Sequence, residues 1–327
     1  MNATDQILDA LRAAEGREVS SRALCGSLGV SRAAVWKRIE TLRQQGYEIE
    51  ACSRRGYRLV AAPDTPYEAE VIPLLTTRNV GRDCRYVSET GSTNRDASAL
   101  GESGAPEGVV VAAGLQTAGR GRMSRVWFSP PNANLYFSVL LRPAVSPERA
   151  SSLSLVAGLA VSEALAECAP QTWPMIKWPN DILIGGRKVC GILCEMQIET
   201  DCCVRQVVVG IGVNLNVGAE DLPDELKSRA TSLQIEAGHR FSRAAVMAAI
   251  LNRFEPLYRG WCADGFGPLA ERTAARDFLF GKTISLDQGG IRIEGRVCGL
   301  GSDGALRLET ARGAVSVYSG EAHINAM

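Results

Sequence analysis

The sequence predicts an α/β chain of three units: an N-terminal winged helix-turn-helix, a larger central α/β unit and a small C-terminal β-barrel of SH3-like size. Three observations predict it. Residues 1–62 carry three short helical patterns followed by one alternating hairpin. Ala61-Ala62-Pro63-Asp64-Thr65-Pro66 then breaks the pattern, because paired prolines stop both helix and ladder. From about residue 272 onward, short alternating strands broken by Gly replace the longer elements. The expected division is 1–62, 67–270 and 272–327, in keeping with two or three domains for 327 residues.

In the head, Ile7, Leu8 and Leu11 have helical spacing. Ser20 or Ser21 is placed to cap a second helix carrying Leu24 and Leu28, and Gly29 ends it, since glycine tolerates the left-handed conformation there. Ser31 caps a third helix with Val35, Ile39 and Leu42 on one face, and Gly46 stops it. Two helices about the Gly29 turn make a helix-turn-helix. Tyr47, Ile49 and Ala51 alternate, as do Tyr57 and Leu59, around a hairpin tip at Ser53-Arg54-Arg55-Gly56. Over the whole chain 36 acidic residues balance 36 basic ones, so no global field attracts nucleic acid. Residues 1–60, however, hold ten basic and seven acidic side chains. The third helix carries Arg32, Lys37, Arg38 and Arg43 against Glu40, and the wing adds Arg54, Arg55 and Arg58, where phosphates and a groove would be met. The expected DNA contacts are Ser31, Arg32, Lys37, Arg38, Arg54 and Arg55. A winged helix kept for protein contacts, or as an appendage, is the alternative.

Composition excludes other classes. With 46% hydrophobic and 22% charged residues the chain is neither disordered nor fibrous. Residues 1–9 lack a secretory signal pattern, and no apolar run approaches the ~18 residues of a membrane span, so a cytoplasmic protein with no membrane partner is expected. The ten cysteines include no CxxC pair and several lie in apolar runs, such as Cys190 and Cys194, as buried free thiols would. His239 and His323 are far apart, which argues against zinc, and no metal ligands are assigned.

The central unit has strand patterns at 108–114, 134–141, 175–178, 189–197 and 204–213, and helical patterns at 93–99, 151–168 and 242–259. The last unit has strand patterns at 283–286, 291–300, 305–308 and 313–318. Gly119-Arg120-Gly121-Arg122 follows the first strand and the polar Gln116-Thr117. Its glycines bring backbone N–H groups close to a ligand, and its arginines suit phosphate or carboxylate. Alone, such a loop is an ordinary surface turn. Lys177-Trp178-Pro179-Asn180-Asp181 ends another strand, and Arg187-Lys188 leads into the apolar run after it, placing Lys188 where a low dielectric strengthens its field. Gly210-Ile211-Gly212-Val213-Asn214 closes a further strand, with glycines where a ligand or backbone must approach. Thr90-Gly91-Ser92-Thr93-Asn94 supplies hydroxyl and amide groups before a helix, either as a cap or as ligand contacts.

Together these segments resemble the biotin–protein ligases, and more specifically the bifunctional type, the biotin operon repressor with an N-terminal winged helix. The residues that carry the resemblance are Ser92-Thr93-Asn94, Gln116 with Gly119–Arg122, Trp127, Asn134-Leu135-Tyr136, Lys177–Asp181, Arg187-Lys188 and Gly210–Asn214, in the family's order. It covers nearly the whole chain. It implies a central mixed sheet of the class II synthetase-like type, with biotin and ATP as substrates, Mg²⁺ as cofactor and biotin carboxyl carrier protein as acceptor. Carried over, Ser92, Thr93, Asn94 and Gln116 hold biotin's ureido ring and the pocket beside it. Arg120, Gly121 and Arg122 lie on a loop that folds over biotin and the adenylate. Lys188 contacts the activated carboxyl and phosphate, and Gly119, Trp127, Asn180 and Asn214 join the adenylate site. The resemblance also implies a homodimer when biotinyl-5'-AMP is bound, and operator DNA as a partner.

Elementary chemistry agrees with that assignment. Biotin's carboxylate attacks the α-phosphate of ATP, cations stabilise the transferring phosphoryl group, and a closing loop protects the anhydride from water until a carrier lysine attacks. Two departures from the family stand out. Its loop usually continues Arg-Gly after Arg122, whereas here Met123-Ser124 follows. The segment 218–232, expected over the adenylate, has no tryptophan, leaving Leu222, Leu226 or Leu233 as apolar cover. The alternatives are a ligase whose head no longer binds DNA, a ligand sensor without catalysis, and a lipoate-type ligase. The cations Arg120, Arg122 and Lys188 argue against the sensor.

Overall fold

A computed structural model describes residues 3–53, 55–199, 203–288 and 291–324, and the chain forms two compact units, Met1–Asp64 and Thr65–Met327. Arg54, expected at the wing tip, lies outside the described residues.

The head has α1 (Ala3–Ala13), α2 (Ser21–Leu28), α3 (Arg32–Gln44) and a hairpin of β1 (Glu48–Cys52) and β2 (Gly56–Ala61). Its core is the predicted one, with Ile7, Leu8, Leu11, Leu24, Val35, Ile39 and Leu42 buried together with Tyr47 and Ile49. Of the two candidate caps, Ser20 is the one used: its hydroxyl accepts from the Ala23 N–H, as Ser31 accepts from the Ala34 N–H. Gly29 closes α2 in the left-handed conformation at φ 63°.

The second unit is built on a seven-stranded sheet: β3 (Cys84–Val87), β4 (Val110–Ala113), β5 (Leu135–Leu141), β6 (Met175–Lys177), β7 (Asp181–Ile184), β8 (Arg187–Ile198) and β9 (Val204–Val213). The order is β3-β4-β5-β9-β8-β7-β6, parallel at β3–β4 and antiparallel elsewhere, hence a mixed sheet. Strand alternation sorts its side chains. Odd positions of β5 and β9 (Leu135, Phe137, Val139, Val209, Ile211) enter the large core with the helices Leu153–Cys168 and Arg243–Asp264. Even positions Leu140 and Val208 meet Ala97 of the helix Thr93–Glu102 in a small second core. One face is therefore covered by long helices, and the other by one short helix that leaves part of the sheet open.

The sequence reading passed over β3, β7 and the helix Gly267–Ala274. Strand β7 is only four residues long, between the Pro179-Asn180 turn and Gly185-Gly186, too short to show a period. The C-terminal sheet is five-stranded and antiparallel, β10 (Thr283–Gln288), β11 (Ile291–Leu300), β12 (Leu306–Thr310), β13 (Gly313–Val317) and β14 (Glu321–Ile324), in the order β13-β12-β11-β10-β14. It belongs to the same compact unit as the large sheet. The Trp178 indole joins the two, donating to the Gly304 carbonyl at 3.3 Å.

One expectation is amended. The stretch Pro147–Cys168, 22 residues with an 18-residue window of mean hydropathy 1.3, is long and apolar enough by length and composition to cross a membrane. In this fold 67% of that window is buried inside the protein, where its helix covers the sheet. The thiols also divide more finely than expected: Cys84 and Cys190 are buried, whereas Cys203 and Cys298 are exposed. Burial pushes the Cys84 thiol up to about 12 and raises Cys190 as well. Since the thiolate is the reactive form, iodoacetamide at pH 8 should label Cys203 and Cys298 in the native protein and spare Cys84 and Cys190. Equal labelling of all four, read by peptide mass spectrometry, would contradict this packing.

Candidate active site

The open part of the sheet is floored by glycine. Gly191 of β8 faces Gly212 of β9, and Gly210 lies two residues along β9 beside Ser138 of β5. A methyl group on Gly212 or Gly191 would lie 2.8 Å from the Trp127 ring, and one on Gly210 would overlap Asn94 Oδ1. The glycines are what let the Trp127 ring and the Asn94 amide lie against the sheet. Above them is a cavity of about 740 Å³, within the size range of small-molecule sites.

Lys188 reaches this cavity through an irregularity. Register slips between Ile182 and Leu183, so Val189 is an extra residue on β8. Residues three apart on a regular strand face opposite ways. With the bulge, Lys188 and Gly191 share a face, and a Cβ on Gly191 would lie 3.1 Å from Lys188 Nζ. The ammonium sits 5.2 Å from the centroid of the Trp127 ring, a cation–π distance. It is 2.6 Å from Asp181 Oδ1, an ion-pair contact.

At the other end, buried Ser138 Oγ is 2.6 Å from Asn94 Oδ1 and 2.7 Å from Thr93 Oγ1, its single proton serving one of them at a time. The Thr93 N–H and hydroxyl both donate to Gln116 Oε1, at 3.0 and 3.1 Å. Gln116 thus caps the helix Thr93–Glu102, a task the sequence reading gave to the Ser92 region, and Ser92 makes no side-chain cap bond. Asn94 Nδ2 donates to Glu195 at 2.7 Å, and Arg120 pairs with the same carboxylate at 3.1 Å.

The Gly-Arg loop spans this floor. Arg122 donates to Asn180 Oδ1 and to the Gly320 carbonyl, each at 3.2 Å, and burial lowers its pKa. Arg125 forms a two-pronged pair with Glu321 at 2.6 and 2.5 Å, which holds the Glu321 carboxyl below the usual range. Between the two arginines Met123 and Ser124 sit at φ 55° and 60°. Left-handed backbone costs a non-glycine residue roughly 1–2 kcal/mol, so the sequence departure at these positions is a strained turn.

Of the expected site residues, Ser92, Thr93, Asn94, Gln116, Arg120, Gly121, Arg122, Trp127, Asn180, Lys188 and Asn214 all line the cavity. Gly119 does not: it is buried behind the loop, where a Cβ would meet Ser129 Oγ at 2.7 Å. Of the three candidate leucines, Leu226 lines the cavity while Leu222 and Leu233 are buried in the body of the unit. The sequence reading missed Arg229, which also lines it, because no motif marks it. Its segment is tied to the site by backbone bonds on both sides of Lys188: the Lys188 N–H donates to the Arg229 carbonyl at 2.8 Å, and the Thr231 N–H to the Lys188 carbonyl at 2.9 Å. Glu195 and Glu321 were missed as well, being visible only as partners of loop arginines.

In the head, Arg32 and Lys37 are exposed on α3, with Trp36 between them at 57% exposure. Ser31 is spent as the α3 cap, and Arg38 donates to the Ala34 carbonyl at 3.3 Å. Part of the expected basic surface is neutralised: Arg43 bonds the Ile49 carbonyl and Glu40, Arg58 pairs with Glu50, and Arg55 pairs with Glu18 at 3.1 Å.

A flat apolar floor, a basic lid and a lysine at one end define a site for an anionic ligand bearing a planar group. Known proteins agree with this class. Residues 86–214 match the Biotin/lipoate A/B protein ligase family, and residues 4–58 match an HTH domain. The chain is 42% identical over 304 residues to the bifunctional ligase/repressor BirA of Bacillus subtilis (strain 168), covering 93% of each. It is 35% identical over 245 residues to a biotin--[acetyl-CoA-carboxylase] ligase of Mycobacterium tuberculosis, covering 73% of this chain and 88% of that one. A solved biotin protein ligase from Aquifex aeolicus, in complex with biotin and ATP, matches with TM-score 0.65 at 31% identity, over 75% of this chain and 100% of that one. The chain belongs to the biotin protein ligase family.

The glycine floor is directly testable. Gly210→Ala forces Asn94 from the sheet. It should lower stability by roughly 1–3 kcal/mol in urea unfolding, as overpacking does, and weaken biotin binding about tenfold in calorimetry. Unchanged affinity would show that Asn94 placement is immaterial to the ligand.

Proposed function

We propose that the chain joins biotin and ATP as biotinyl-5'-AMP and transfers the biotinyl group to a lysine of biotin carboxyl carrier protein, and that its head makes it a biotin-dependent repressor of biotin-synthesis genes. One observation carries the ligase reading. Lys188, Arg122 and Trp127 line the same cavity as Ser92, Thr93 and Asn94, so phosphate-binding cations and a polar ring-binding pocket share one continuous space.

In this reading Ser92, Thr93 and Asn94 hold the ureido ring, with Gln116 fixing Thr93. A carboxylate oxygen of biotin attacks the α-phosphorus, and the bond to pyrophosphate breaks. Lys188 and Arg122 stabilise the charge on the transferring group. Trp127, with Asn180 and Asn214, lines the adenylate end. Arg120, Gly121 and Arg122 close over the anhydride, and a carrier lysine then attacks its carbonyl and releases AMP. Mg²⁺ would neutralise phosphate charge; both carboxylates lining the cavity are already paired, Asp181 with Lys188 and Glu321 with Arg125, so no ligand is assigned to it.

Dimerisation through the central sheet has a surface available. Strand β8 continues to Ile198, whereas β7 pairs with it only as far as Gly191, so the far half of β8 has a free edge among the described residues. A dimer would present two winged heads to paired half-sites, with Arg32, Lys37, Arg38, Arg54 and Arg55 at the DNA. We place the protein in the cytoplasm, with the chain divided as 1–62, 67–270 and 272–327.

Lys188→Ala should slow biotin-dependent pyrophosphate release at least about 100-fold, as loss of one transition-state donor does elsewhere. A rate near wild type removes Lys188 from the mechanism. For the head, a mobility-shift assay on the biotin-synthesis promoter, with biotin and ATP present, should show a complex that Arg32→Ala with Lys37→Ala abolishes. A complex indifferent to both substitutions would place the DNA contact elsewhere.

A further inference from the structure

We infer that Glu321, on the C-terminal sheet, is the positioning residue that holds the Gly-Arg loop closed over the cavity; the inference rests on the reading of that loop as the adenylate lid. The two arginines that flank the strained turn grip neighbouring residues at the start of β14. Arg122 donates to the Gly320 carbonyl, and Arg125 forks onto both oxygens of Glu321. The anchor is fixed from behind. Glu321 pairs with Asp287 across β10 and β14, and Gly320 is at φ 144°, where any side chain would overlap Leu286. The loop side is the weaker partner, since Met123 and Ser124 hold left-handed backbone that glycine would adopt freely. Met123 and Val126, at the cavity, are 73% and 87% exposed, so packing contributes little there. Arg120 is drawn to Glu195 and Arg122 to Asn180 and the Gly320 carbonyl, so the Arg125–Glu321 fork is the loop's ionic tie to the C-terminal sheet.

Because the pair is partly exposed, its role is to select a conformation more than to stabilise the fold. In a chain lacking the family's loop glycine, the latch replaces conformational ease with an ionic hold from another sheet.

The test compares full-length wild type, Glu321→Gln and the exchanged pair Arg125→Glu with Glu321→Arg. Trypsin cleavage after Arg122 in the unliganded protein should speed up about tenfold in Glu321→Gln, since cleavage follows the open population. The same variant, given biotin and ATP, should leak biotinyl-5'-AMP and label bystander lysines. Its KM for biotin should stay within about twofold, because Thr93 and Asn94 are untouched. Cleavage after Arg122 should return toward wild type in the exchanged pair. Wild-type cleavage and no leakage in Glu321→Gln would overturn the latch. If wild type itself forms no biotinyl-5'-AMP, the ligase reading fails while the cleavage arm still decides the latch.

Discussion

The site depends on a strip of sheet that carries no side chains. Gly191, Gly210 and Gly212 lie on the one face that long helices leave uncovered, and a single methyl at any of them would displace Trp127 or Asn94. A pleated sheet ordinarily fills each face with alternating side chains. Removing three of them makes a flat floor wide enough for a ring system while keeping the backbone ladder intact. The β8 bulge then turns Lys188 onto that floor, beside an indole and a carboxylate that together orient its charge. The cavity therefore follows from where the strands lack bulk and where they slip register.

The other walls are contributed by elements distant in sequence, each tied by a small number of polar bonds. The helix Thr93–Glu102 is pinned by Gln116 and Ser138, the 224–232 segment by backbone bonds to Lys188, and the loop by the C-terminal sheet. The large core lies on the opposite face and supplies rigidity. This division suits an enzyme that must open for ligands and close over a labile anhydride: the floor is stiff, and the lid is held by exchangeable ionic contacts.

Much of this was legible in the sequence. The head's helices follow from apolar spacing and capping serines, and residues 92–94, 120–122, 177–181 and Lys188 of the motifs meet in one cavity. The rest was hidden for physical reasons. Strand β7 is too short to display a period. The capping role of Gln116 depends on a contact across 23 residues, and the partnership of Arg125 with Glu321 on one across 196. Arg55 and Arg58 looked like free charge because their acidic partners, Glu18 before α2 and Glu50 across the hairpin, are not helix neighbours, whereas Arg43 has Glu40 three residues back on its own helix and is also drawn to the Ile49 carbonyl. Met123-Ser124 was visible as a departure, but its consequence, two residues in left-handed backbone, belongs to the folded loop.

The two units combine a ligase fold with a DNA-binding type of head, in a family where both occur together. Ligase action in this fold requires that the cavity hold the product of biotin and ATP as a sequestered adenylate. Native mass spectrometry of the full-length protein incubated with biotin, ATP and Mg²⁺ reads this directly. One retained biotinyl-5'-AMP per chain is expected, discharged when a biotin carrier domain is added. A chain that carries only free biotin, or nothing, after the same incubation would contradict it.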